Sequence, residues 1–228
     1  MRAIVFALLA ALAMPIQARG YTATYDMIWS VGIRLETEAI ETLTQTGDDW
    51  QMTLDAKASI GSATETTNLL FHSDKGWIPL DYSYTQSVLG RTSGRHFRFN
   101  WNKSSLSRLH EPEQSDLAME PGTLDPLGFR LQLAHLLSQG KAPPTTITLV
   151  DGDQLKTREI AQEGTETIDT PMGAIDTLKF SLVETDPKRS FVFWLAPELS
   201  YQLVKLEKRD KKRLLALTLT GYTPAGTP

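Results

Sequence analysis

The sequence predicts a mainly β protein: an antiparallel meander that curves into a half-barrel or barrel and holds one buried α-helix at about residues 125–139. Three observations predict it. Apolar and polar residues alternate with a period of two over most of the chain, and turn-forming residues interrupt the alternation at regular intervals. A single stretch replaces that period with helical spacing.

Residues 1–18 come first. Met1-Arg2 supplies one positive charge, a small and apolar run extends from Ala3 to Met14, and Ala18 precedes Arg19-Gly20. That layout is a secretory signal peptide, too short for a membrane span of about 20 apolar residues. Cleavage after Ala18 is expected, with Ala13 as the alternative. Residues 19–228 then form a single β-rich domain, a soluble protein of the periplasm. The chain contains no cysteine, which excludes a lipid anchor on Cys and leaves stability to a packed core. Losing residues 1–18 removes one Arg and no acid, leaving 22 basic against 27 acidic residues and a net charge of −5. A mild acidic balance speaks against a nucleic-acid partner. No later segment has the length and apolarity of an integral membrane helix.

The strands follow. Trp50, Met52, Leu54, Ala56 and Ala58 alternate with polar residues, the pattern of a strand with one face on a core and one in water. The alternation recurs at Phe97/Phe99/Trp101, at Leu178/Phe180/Leu182 and at Leu215/Leu217/Leu219. Gly47-Asp48, Asp74-Lys75-Gly76, Asp151-Gly152, Pro171-Met172-Gly173 and the segment Lys208 to Lys212 each join two such runs. Asp151-Gly152 is read as a type I′ hairpin turn. About a dozen strands result, joined mostly to their sequence neighbours. The tail from Pro224 is expected to fray.

The exception to the period begins at Asp125-Pro126, an N-cap followed by proline in the first turn, and ends at Gly140 before Pro143-Pro144. Leu127, Phe129, Leu131, Leu133, Ala134, Leu136 and Leu137 cover more than half of its circumference. Gln132, His135 and Gln139 form its polar stripe, and Arg130 sits among the apolar positions. A helix this apolar is buried on most sides, and the concave face of a curved sheet is the place for it. Arg130 fits the mouth of a cavity there better than a dry core.

Catalytic and metal-binding patterns are absent from the sequence. His72, His96, His110 and His135 lack the paired spacing of a zinc helix, no Gly-x-Ser-x-Gly elbow exists, and Glu36 and Glu38 share an exposed strand face. No metal or cofactor is expected, and no enzyme. The ligand-binding candidates are Phe129, Arg130, Leu131 and His135 on the helix, with Arg95, Arg98 and Trp101 from a strand where arginines interleave with aromatics. A second basic cluster, Lys205 to Arg213, reads as a solvated hairpin tip whose charges discourage edge pairing.

Several segments carry a family resemblance. They are Tyr21-x-x-x-Tyr25 with Trp29-Ser30-Val31-Gly32-Ile33, and Leu124-Asp125-Pro126-Leu127 before the helix. Further on come Asp151-Gly152-Asp153, Gly164-x-Glu166, Thr170-Pro171-Met172-Gly173, and Trp194-Leu195-Ala196 running to Leu203-Val204-Lys205. In their order the chain resembles exported bacterial proteins known as domain of unknown function 3108. The resemblance implies a periplasmic β-rich domain and no established activity. The chain departs from the family at Gln202-Leu203, where a Pro is usual, and at Gly128-Phe129-Arg130 in the helix. The leading expectation is a non-catalytic envelope protein that encloses a lipid or acyl chain between sheet and helix. By architecture, it is analogous to half-barrel lipoprotein carriers. The alternative is a solid-core module that binds another envelope protein, and an enzyme of unknown class comes third.

Overall fold

The alternating runs become strands in a computed structural model that describes residues 20–30, 33–109 and 116–226. The expected signal peptide at residues 1–18, Val31-Gly32 and His110 lie outside the described residues. Eight strands form a first meander: β1 (Gly20–Ser30), β2 (Arg34–Thr46), β3 (Asp49–Ala58), β4 (Gly61–His72), β5 (Gly76–Val88), β6 (Arg91–Asn100), β7 (Ser105–Arg108) and β8 (Leu117–Ala118). The helix α1 (Pro126–Ser138) follows. Six strands form a second meander: β9 (Thr146–Asp151), β10 (Gln154–Thr170), β11 (Gly173–Leu182), β12 (Arg189–Ala196), β13 (Gln202–Asp210) and β14 (Arg213–Pro224).

An antiparallel β1–β14 ladder joins the two meanders into one fourteen-stranded sheet. The first and last strands therefore lie at its centre, and β8 and β9 are its two ends. The expected alternation holds: Met52 and Ala56, Phe97 and Phe99, Phe180 and Leu182, and Leu217 and Leu219 are all buried.

The sheet curls without closing into a barrel. Its ends do not pair, yet Phe97, Phe99 and Leu106 from β6 and β7 form one apolar cluster with Val150 of β9 and Met119. Arg95 crosses the same gap to pair with Asp153 at 2.6 Å. The chain leaving β8 also covers the outer edge of β9. Leu124 N–H donates to the Thr148 carbonyl and Val150 N–H to the Leu124 carbonyl, each at 3.0 Å, which keeps that edge from outside strands.

Two local expectations need correction. In the β9–β10 hairpin Asp151 pairs with Gln154, so the central residues are Gly152-Asp153, and only Gly152 takes positive φ (67°). That is the II′ pattern, with glycine at the first central position, and not type I′. Nor does the tail fray from Pro224. Pro224 pairs with Tyr21, and Ala225 N–H donates to the Gly20 carbonyl at 2.9 Å.

The helix forms where expected. Asp125 caps it, its Oδ1 accepting from Leu127 and Gly128 N–H at 2.9 Å each while Oδ2 accepts from the Thr67 hydroxyl at 2.8 Å. Gly128 is required by closeness: a Cβ there would stand 2.9 Å from Asp125 Oδ2 and 3.2 Å from Leu69 Cδ2. Gly76, at the start of β5, likewise leaves room for Gln132 Oε1, which accepts from Trp77 N–H at 2.8 Å. Phe129 enters the main core edge-on to Phe193, centroids 5.8 Å apart. Leu127 and Leu131 pack instead with Leu43, Met52 and Leu69. Among the described residues no helix is long and apolar enough to cross a membrane.

Candidate functional site

The site begins on β2 with a reversal of the usual pattern. Leu35, Ala39 and Leu43 face inward and are buried, so Glu41 shares their face, and it is 0% exposed. Its neighbour Ile40 points out and is 43% exposed. A buried carboxylate needs donors. Oε1 accepts from the Tyr21 hydroxyl at 2.7 Å and from Gln202 Nε2 at 3.0 Å, with the Tyr25 hydroxyl 3.4 Å away. Oε2 accepts from Arg130 Nη2, closing an ion pair between α1 and β2. Tyr25 itself accepts from Gln202 Nε2 at 2.8 Å and lies 3.2 Å from the Leu203 carbonyl. Burial, then the Glu41 charge, raises both tyrosine pKa values well above the ordinary phenol, so both remain hydroxyls. Burial is the largest influence on Arg130 and opposes its charge, but Glu41, Tyr25 and Tyr21 together raise the guanidinium's pKa.

Over this polar floor lies a cavity of about 1030 Å³ between α1 and the strands. Small-molecule sites run from about 300 to 1,000 Å³, so this one is large. Its walls are apolar and aromatic. Trp50 and Trp77 meet edge-on at 5.2 Å, and Phe71 packs on Trp77 at 5.0 Å and on the His135 ring at 5.1 Å. Leu43, Met52 and Leu131 complete the wall. The rim is polar, with Gln45, Asp48, His72 and Ser138 exposed. Ser200 and Tyr201, also on the lining, are consecutive non-glycine residues at φ 56° and 61°. Such geometry costs on the order of 1–3 kcal/mol per residue and gathers at ligand sites.

The sequence candidates separate into two places. Arg130, Leu131 and His135 line the cavity. Phe129, one residue before Arg130, turns away into the filled core and is 2% exposed. Arg130 is at the floor rather than the mouth, and its side chain is 10% exposed. Burial, then Lys141, lowers the His135 pKa. The other three candidates do not line this cavity. Arg95 pairs with Asp153 at a smaller recess of about 510 Å³, Arg98 reaches Asp81 at 3.2 Å, and Trp101 Nε1 donates to the Pro79 carbonyl at 2.7 Å. The basic C-terminal hairpin is partly engaged in ring contacts, with Lys205 4.7 Å from the Trp194 ring and Lys208 5.6 Å from Phe191. Among the described residues no three His, Asp or Glu side chains gather as a metal site would require.

Glu41 was not anticipated, nor was its pairing with Tyr21, Tyr25 and Gln202. The parity of β2 carried a usable signal, since Leu35, Ala39 and Leu43 place Glu41 inside. Gln202, one of the two departures from the family pattern, proves to be a donor to Glu41.

No curated protein sequence matches the chain. Among solved structures it is similar to a beta-barrel-like DUF1849 protein from Brucella abortus, at 12% identity and a TM-score of 0.60 over 93% of this chain and 100% of that one. That likeness shows a shared fold. Two further likenesses score too low to bear on it. One is a Parabacteroides distasonis protein provisionally named a lipoprotein, with 12% identity, TM-score 0.31, and 91% and 96% of the chains covered. The other is a DUF1329 family protein from Desulfovibrio piger, with 9% identity, TM-score 0.29, and 93% and 89% covered. In sequence, the profile of the proteins of unknown function DUF3108 matches residues 21–212, and the chain belongs to that family.

Proposed function

We propose that this is a non-catalytic protein of the bacterial cell envelope whose cavity binds an apolar, lipid-like ligand. The observation that carries the reading is the cavity of about 1030 Å³ with aromatic and aliphatic walls, set between α1 and the concave sheet. Burying apolar ligand surface there is worth roughly 25 cal/mol per Å². The alternative of a filled-core interaction module gains no support from a void of this size beside the helix.

Native mass spectrometry of protein recovered from periplasm tests the proposal. The expected spectrum shows a polypeptide beginning at Arg19 with an adduct of lipid mass that organic extraction removes. A bare polypeptide that also fails to rebind any acyl chain after extraction overturns the binding role. Retention of Met1 overturns export.

A further inference from the structure

We infer that the ligand meets Arg130 through a neutral acyl carbonyl, an ester or amide oxygen, and not through a carboxylate or phosphate. This rests on the binding role proposed above. Arg130 supplies the need for an acceptor. A guanidinium carries a fork of N–H donors, and among the described residues only Glu41 accepts from this one. The side chain lines the cavity and is 10% exposed, which puts its remaining donors within reach of a bound ligand. Those donors have no protein acceptor among the described residues, so a ligand oxygen at this spot would give one of them a partner.

Charge selects the kind of oxygen. Glu41, 0% exposed, already matches the Arg130 charge. The same interior holds further acids: Glu65 on β4, which feels both Arg130 and Glu41, and Asp125 at the start of α1, which feels Glu65. Lys208 of β13 is the other cation that acts on Glu65. Tyr21 and Tyr25 face Glu41 as hydroxyls, and His135, His72 and Asp48 stand farther out along the lining. An incoming anion would place a second negative charge on a guanidinium that is already neutralised, after losing its own hydration. A neutral carbonyl brings the acceptor without the charge.

Three probes with one oleoyl chain test this: 1-oleoylglycerol for an ester, oleamide for an amide and oleate for a carboxylate. Each is titrated at pH 8 into extracted mature protein and into a Glu41→Gln variant. For the wild type, we expect the better neutral probe to bind at least tenfold more tightly than oleate. In Glu41→Gln the guanidinium charge is unmatched, so oleate should gain and the ratio should shrink or invert. Oleate binding the wild type as tightly as both neutral probes overturns the inference and leaves the binding role standing. A ratio unchanged in a folded Glu41→Gln protein also overturns it, because the preference then does not arise at this pair. Failure of all three probes overturns the binding role and the inference together. If Glu41→Gln does not fold, the wild-type ratio decides alone. The tighter of the two neutral probes distinguishes ester from amide.

Discussion

Residues two positions apart on α1 have different fates. Phe129 fills the main core at 2% exposure, whereas Leu131 presents a side chain to the cavity wall. Phe129→Ala should therefore cost about 3–5 kcal/mol, the range for aromatic truncation in a packed core, with little change in ligand retention. Leu131→Ala should cost about 2 kcal/mol, at the low end for leucine, because one side of it already lacks protein contacts. It should also weaken ligand binding. Urea unfolding of extracted protein, paired with ligand retention, checks both. Equal costs with no effect of Leu131→Ala on binding would contradict the assignment of the two faces. Both residues were visible in the sequence as members of one apolar arc, but an arc covering most of a helix does not say which neighbour fills each side. Arg130 was legible as an anomaly. Its partner was not, because Glu41 lies 89 positions away and looks like any other strand glutamate until the parity of β2 is counted.

At the scale of the element, α1 was the most legible part of the molecule. Its limits follow from Asp125-Pro126 and Gly140, which act through local geometry alone. The environment of the cap was not legible. Asp125 is buried, and burial pushes its pKa up to about 6 against the hydrogen bonds from Gly128 N–H, Thr67 and Leu127 N–H. The unfolded chain releases that proton near the ordinary aspartate value of 3.8. Between those two pH values the folded state binds more protons. Its contribution to stability is thus largest below the unfolded value, falls as pH rises towards 6, and is level above that. Burial raises the Glu65 pKa too, which adds a contribution of the same sign. Asp125→Asn keeps a capping oxygen and removes the titration, so it should flatten this part of the curve. Unfolding free energies between pH 3.5 and 7 for both proteins give the comparison. A wild type and variant with parallel curves would show that Asp125 does not titrate in this window. The hairpins were legible for the same local reason as the helix, while the turn at Gly152-Asp153 differs from the expectation by one register position and in type, II′ in place of I′.

Across the whole molecule, the antiparallel meander was legible but the joint at its centre was not. Nothing local to β1 or β14 reveals that they pair, since the partners Tyr25 and Leu219 meet only through long-range burial. Fourteen strands were found where about a dozen were expected, as the short β7 and β8 carry too few residues to display a period. The central joint makes a strong prediction. Ending the chain at Lys212 removes β14, strips the inner edges of β1 and β13, and deletes buried Leu217 and Leu219. That protein should show no cooperative urea transition by circular dichroism, and a native-like midpoint would refute the topology. The opposite end of the sheet is built differently. Between β8 and β9 no ladder has to break: the gap is crossed by the Arg95–Asp153 pair, by the apolar cluster around Val150, and by the two main-chain hydrogen bonds that tie Leu124 to β9. Exposed ion pairs of that kind hold with only about 0–1 kcal/mol. Mechanically the molecule is a split cylinder, joined by thirteen ladders and by no ladder along one line. On the binding role proposed above, the container closes along that line through packing and side-chain contacts that can rearrange without breaking a ladder, which suits contents that vary in bulk.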